Sequence, residues 1–198
     1  MQSAAARTTT LAQALWPASA TDALFRNVIL MLAGTLLLTL SAKINVPFYP
    51  VPLSMQTFVV VAIGAAYGWR LGGVTVLLYL AEGAAGLPVF AGTPEKGIGL
   101  AYLMGPTGGY LVGFAAGAAV TGWLCERGWD RSFLSLTAAM FIGHVVLFVF
   151  GTAYLGTLIG YEKVWALGVA PFYLATVLKT LLAAATIKGG WKFAEGRI

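Results

Sequence analysis

Charge is scarce in this chain. Lys, Arg, Asp and Glu together make up 10% of its 198 residues, whereas 59% are hydrophobic and the mean hydropathy is +0.84. A soluble domain carries about 25% charged residues, so the balance excludes a soluble globular protein and marks an integral membrane protein. A single cysteine, Cys125, excludes an intrachain disulfide and a CxxC metal or redox pair. A single histidine, His144, excludes the HExxH zinc pair of an intramembrane metalloprotease. The only aspartates, Asp22 and Asp130, fall in segments expected on the cytoplasmic side, so an intramembrane aspartyl pair is missing as well. Neither GxxxxGK[ST] nor GxGxxG occurs. The Gly-rich run Gly105-Pro106-Thr107-Gly108-Gly109 lacks the lysine that a phosphate loop uses. No catalytic residue, metal site or cofactor is read from the chain, and it is not expected to be an enzyme. Uphill movement of a solute would need a partner or an ion gradient. Segment 1–22 lacks a charged start followed by an apolar run and a small-residue cleavage site.

What is present is a series of apolar runs. About 20 such residues cross a bilayer, and six spans are read near 27–46, 53–69, 71–88, 106–125, 133–157 and 168–188. The expected fold is an all-α membrane protein, six transmembrane helices in one bundle. Residues 1–26 form a cytoplasmic N-terminal segment, 27–188 the transmembrane substrate-binding domain and 189–198 a short cytoplasmic tail. Charge orients it. Arg7, Arg26, Arg70, Arg127, Arg131, Lys188, Lys192 and Arg197 lie on one side; Lys43, Lys96 and Lys163 lie on the other. Excess Lys and Arg marks cytoplasmic loops. Both termini are therefore expected inside, and the net charge of +5 does not call for nucleic acid. The outer connections, 45–52, 88–105 and 158–167, include the Pro- and Gly-rich ones. Irregular backbone at membrane depth is tolerated only over a cavity or against protein, so the ligand site is expected on the outer side. Two small-residue ridges, Gly64-Gly68-Gly72 and Gly105-Gly109-Gly113-Gly117, recur every four residues, the spacing that lets helix backbones meet.

Lys179 stands mid-way through the last span. A charge at that depth costs about 2.5–3.5 kcal/mol on insertion scales. Two readings follow: it snorkels or pairs structurally with Glu82, the only acid within an expected span, or it donates hydrogen bonds to a polar or anionic ligand. Glu82 would then keep it charged or accept from ligand N–H groups. His144 is read as an interhelical hydrogen bond. In the first outer loop Phe48 and Tyr49 either belong to an interfacial aromatic belt or cap a bound ring. Gln56, one turn into the second span, offers two donors and an acceptor. Phe90 brings another aromatic to the same side.

Three segments together resemble the BioY family, the biotin-binding substrate (S) components of energy-coupling-factor (ECF) vitamin importers: VPFYPVPLSMQTF at 46–58, YLAEGAAGLPVFAG at 79–92 and GPTGGYLVGF at 105–114. PFYLATVLKTLLA at 171–183 resembles the family's last-helix motif. The resemblance implies biotin capture from outside and delivery inward, in a multi-pass protein of a bacterial-type cell (inner) membrane. The implied partners are a transmembrane coupling subunit and two cytoplasmic ATPases. A stand-alone, oligomeric biotin transporter and an S component for another small vitamin are the alternatives. By the same resemblance Lys179 matches the family's ligand-contacting lysine, donating to the ureido carbonyl or the carboxylate of biotin. Phe48, Tyr49 and Phe90 flank the ring or chain, and Gln56, Glu82 and Thr176 supply further polar contacts. The turn holding Thr107 and Gly108 lets backbone approach the ligand, and Tyr110 closes the site. Two positions depart from the family pattern: Thr176 stands where an Asp is common, and Gly92 where a second polar residue often follows Phe-Ala. The family's AxxxA docking pattern in the first helix is absent, the nearest small residues being Ala33, Gly34, Ser41 and Ala42.

Overall fold

A computed structural model describes residues 9–19 and 22–196. Arg7 and Arg197, counted in the charge balance, lie outside them, as do residues 1–8, 20 and 21 of the expected N-terminal segment. The described chain is mostly helical, in the order α1 (Leu11–Leu15), α2 (Asp22–Lys43), β1 (Asn45–Val46), β2 (Leu53–Ser54), α3 (Gln56–Ala84), α4 (Gly99–Leu103), α5 (Gly108–Leu124), α6 (Phe133–Ile159), α7 (Tyr161–Val164) and α8 (Tyr173–Glu195). Five helical stretches are long and apolar enough to cross a membrane: α2, α3, Gly108–Trp129, α6 and Tyr161–Glu195.

The second and third expected spans form one element, α3, but not one straight rod. Gln56 Nε2 donates to the Tyr79 hydroxyl at 2.6 Å, although a straight helix would hold residues 56 and 79 about 35 Å apart. Gly68 is the reason. Its φ of 83° and ψ of 175° are not helical, and only glycine adopts that backbone without strain. The chain doubles back there into two arms, 56–67 and 69–84. A Cβ on Gly72 would sit 3.2 Å from the Gly64 Cα, so the first small-residue ridge is the seam between the arms. The Trp69 N–H, freed by the turn, donates to Glu126 Oε1 at 3.0 Å.

The second ridge joins α5 to α6. A Cβ on Gly113 would fall 2.7 Å from the Leu147 carbonyl oxygen, and one on Gly117 2.8 Å from that of Gly143. These helices touch backbone to backbone, as small residues allow. The first arm of α3 meets α5 likewise, with Gly64 against the Ala118 carbonyl. α2 is the least covered of the long helices and leaves Leu24, Leu32, Leu36 and Leu40 exposed on one side. Gly34, Ser41 and Ala42 face inward instead; a Cβ on Gly34 would lie 2.5 Å from Thr75 Cγ2. Three of the four nearest substitutes for the missing docking pattern therefore pack inside the bundle, and Ala33 is half-buried.

Two boundaries differ from expectation. α8 continues to Glu195, through most of the expected tail. The reason is tertiary: Trp191 and Ala194 are buried with Leu11 of α1 in one apolar cluster, and Gly190 gives Leu11 room. α1 starts at a capping box, with Thr10 Oγ1 accepting from the Gln13 N–H and Gln13 Oε1 from the Thr10 N–H. The expected loop 158–167 is largely helical as well, running through α7 and a wide turn at Trp165–Val169.

Candidate functional site

The proline-stiffened first connection is a short antiparallel hairpin, with Asn45 opposite Ser54 and Val46 opposite Leu53. It brings Ser54 and Gln56 over the bundle, where they meet α8. The side chains of Phe172, Thr176 and Lys179 recur on one face of that chain segment at the spacing of neighbouring turns. α5 contributes Tyr110, Leu111 and Phe114, its N-terminus Thr107, and α6 Leu147 and Phe148. Between them lies a cavity with about 530 Å³ of empty space, counted together with the open solvent at its mouth.

Among the described residues Lys179 is its one charged side chain. It is 9% exposed and donates to the Ser54 carbonyl oxygen. An ammonium has three N–H groups, so two remain for whatever occupies the cavity. The hairpin is tied in turn to the loop after α3. Ser54 Oγ donates to Gln56 Oε1 (3.1 Å), Gln56 Nε2 to the Tyr79 hydroxyl, and that hydroxyl to the Val89 carbonyl (2.8 Å). A second tether comes from Lys43 at the end of α2. Its Nζ donates to the carbonyls of Pro88 (2.8 Å), Phe90 (3.2 Å) and Thr93 (3.0 Å). A third comes from Tyr102, whose hydroxyl donates to the Ala91 carbonyl at 2.6 Å. Burial pushes the Tyr102 phenol up from its usual range, so the hydroxyl stays protonated and keeps its donor. Ala91 itself lines the cavity.

Of the residues expected from sequence, the structure brings Lys179, Thr176, Gln56, Thr107 and Tyr110 around this one space. Glu82 is elsewhere. It lies one turn beyond Tyr79 on α3, is half-buried and does not line the cavity, and among the described residues it forms no ion pair with Lys179. Phe90 is 1% exposed and packs in the core rather than on the cavity wall. Its ring stacks on Tyr102 (5.1 Å, 22°), meets Tyr79 edge-on and occupies the space that Gly83 leaves. Phe48 stays outside, 42% exposed, with its ring edge-on to the lining residue Phe172 at 6.4 Å. Tyr49 is 84% exposed. Gly92 forms the turn at φ 75°, beside Lys96, and Gly108 packs on the Leu103 carbonyl; neither lines the cavity.

Sequence reasoning did not single out Ser54, Tyr102, Phe148 or Phe172. Ser54 lies within the quoted 46–58 segment, and Phe172 is four residues before Thr176, so helical spacing was the available signal for it. Phe148 carried none: an aromatic in an apolar span looks the same facing lipid or ligand. His144 behaves as expected, linking α6 to α8. Its Nδ1 lies 3.0 Å from the Met140 carbonyl and 3.2 Å from Thr180 Oγ1. A carbonyl only accepts, so Nδ1 carries the proton.

The arrangement is an apolar pocket with several uncharged polar groups and one ammonium. It suits a small, largely apolar ligand that has hydrogen-bonding groups and an acceptor or anion for Lys179. The comparisons with known proteins agree with one another. The model of the BioY family matches residues 8–196. A probable biotin transporter BioY of Pyrococcus horikoshii is 35% identical over 158 residues, 80% of this chain and 91% of that protein. The biotin transporter BioY of Rhizobium etli is 38% identical over 171 residues, 82% and 86% of the two chains. Among solved structures, an S-component for biotin from an ECF-type ABC transporter superposes with a TM-score of 0.77 at 20% identity, covering 88% of this chain and 95% of its own.

Proposed function

The chain belongs to the BioY family, and from that membership we propose that it takes up biotin as the S component of an ECF-type importer, a transport role rather than a catalytic one. The reading is carried by one observation, the cavity that gathers Lys179 with Ser54, Gln56, Thr107, Thr176 and aromatic carbon. Biotin is a fused apolar ring with a ureido group and a valerate carboxylate. Leu111, Phe114, Leu147, Phe148 and Phe172 match the ring and chain. The two free N–H groups of Lys179 match the ureido carbonyl or the carboxylate. Among the described residues no carboxylate side chain lines the cavity, so the ureido N–H donors would go to the Thr176 hydroxyl, the second lone pair of Gln56 Oε1 or backbone carbonyls.

In this reading the arms of α3 are two crossings, which with α2, α5, α6 and α8 make six in one substrate-binding domain. Both termini face the cytoplasm, in keeping with the charge count, and the cavity faces outward in the cell membrane. A transmembrane coupling subunit and two ATPases supply the work, consistent with a chain that has no phosphate loop of its own. The test is equilibrium binding of biotin to the purified protein in detergent, with thiamine as control. Tight binding of biotin alone is expected. A well-folded sample that binds no biotin would sink the proposal.

A further inference from the structure

A second polar space lies at the other end of the bundle, beside the Gly68 turn, where α1 and the start of α2 meet the end of α5. Arg26, Arg70, Tyr67, Trp69 and Glu126 are among its lining residues. We propose that this cleft binds the phosphodiester headgroup of an anionic phospholipid.

Arg26 carries the argument. It is 7% exposed, and a guanidinium stays charged at any physiological pH. Its Nε and Nη2 donate to Asn27 Oδ1 (3.3 and 3.1 Å) and its Nη1 to the Trp16 carbonyl (3.2 Å). Two of its five N–H groups are left. Among the described residues no carboxylate lies within ion-pair distance of it. Asp22, one turn earlier, takes its hydrogen bond from Ser19 Oγ instead. Removing a charge from water without a counter-charge is costly, and the described residues leave that of Arg26 unbalanced.

The rest of the cleft says which anion completes it. Arg70 is exposed, its guanidinium 5.1 Å from the Trp69 ring centroid. Glu126 faces the same space but its Oε1 already accepts the Trp69 N–H. Two arginines against one glutamate leave one uncompensated positive charge, which a phosphodiester matches and a dianionic phosphate exceeds. Leu30, Leu71 and the two aromatic rings give the cleft an apolar side, suited to glycerol and the first acyl carbons. Its position at a helix-bundle end is the depth of headgroups, where Trp and Tyr rings settle and basic pockets between helices bind acidic lipid.

The protein in neutral detergent is titrated with phosphatidylglycerol or phosphatidylcholine, and bound lipid is counted by native mass spectrometry. Phosphatidylglycerol is expected to be retained preferentially. Arg26→Gln and Arg70→Gln should each reduce its retention about fivefold, the effect of one basic residue near anionic lipid, while an excess of inorganic phosphate leaves it in place. Biotin binding by Arg70→Gln should be unchanged, which separates this result from the fate of the proposed transport function. Should Arg26→Gln fail to fold, the exposed Arg70→Gln carries the test. Equal retention of the two lipids, full retention by the variants, or displacement by inorganic phosphate would each overturn the proposal.

Discussion

Two sets of positions along one side of α5 work by opposite means. Toward α6 it presents Gly113 and Gly117, with no side chain, so that the helices meet at their carbonyls. Toward the cavity it presents Tyr110, Leu111 and Phe114, whose bulk forms the wall of a space. The glycines bring two backbones into contact; the bulky set hangs a binding surface from the backbone so placed. The polar groups follow the same division. Thr121, below the glycines on α5, has its hydroxyl turned onto the Gly117 carbonyl of its own helix. Lys179 keeps two donors free. The glycine seam therefore serves stability, and the cavity holds chemistry that stability alone would remove.

The largest effect should come from filling the seam. Gly113→Val puts a Cβ within 2.7 Å of the Leu147 carbonyl, where backbone cannot give way as a flexible side chain would. Overpacking costs about 1–3 kcal/mol, occasionally more, and here both partners are backbone. Thermal unfolding in detergent should fall by several degrees or the folded protein should not be recovered. A variant that melts with the wild type would mean that the seam is looser than the contact implies.

The cavity should answer in the opposite way. Lys179→Met removes a buried charge and keeps the chain length, so the ligand-free protein should melt at the same temperature or higher. Biotin affinity should drop at least about tenfold, since a hydrogen bond to a charged group contributes about 1.5–3 kcal/mol. Unchanged affinity would take Lys179 out of the site. A fall in melting temperature as large as that of Gly113→Val would erase the distinction between seam and cavity.

The same contrast explains what the sequence showed. The glycine spacing of both seams was legible because small residues every four positions mean backbone contact whatever the context. Lys179 and Gln56 were singled out because polar groups at membrane depth need a reason, whereas Thr176 came from the resemblance, as the residue standing where an Asp is common. The doubling back at Gly68 was legible as a short connection, though not as a turn at one residue; that depends on a φ of 83° that no composition reveals. Phe90 was misplaced because its ring fills the gap over Gly83, a contact between residues seven apart that neither helical nor extended spacing anticipates. Glu82 was drawn to Lys179 by depth alone, while the acceptor Lys179 uses is a backbone carbonyl, to which side-chain patterns are blind. Lys43, counted only as an outer charge, proved to hold the 88–93 loop for the same reason: all but one of its contacts are carbonyls.

Lys43 gives an intermediate case, remote from the ligand space but bonded to its wall. Lys43→Met should free the 88–93 loop, raise its hydrogen exchange and weaken biotin by less than the loss at Lys179, about tenfold at most, chiefly through faster release. A loss as large as that of Lys179→Met would place the ammonium in contact with ligand. An unaltered exchange pattern would show that Tyr79 and Tyr102 suffice to hold the loop.

Tyr49 should show the smallest effect and tests where the cavity ends. The aromatic pair Phe48-Tyr49 suggested from sequence a cap on the bound ring, yet Tyr49 is 84% exposed and only Phe48 reaches a lining residue. Exposed substitutions away from specific contacts shift free energies by about 0.5 kcal/mol or less. Tyr49→Ala should therefore leave biotin affinity within about twofold of wild type, and its melting temperature unmoved. A larger loss of affinity without a change in melting would mean that the 47–52 loop folds down when ligand enters and that Tyr49 joins the wall. Seam and cavity would then differ in mobility as well as in packing, the seam rigid in both states and the cavity completed only in one.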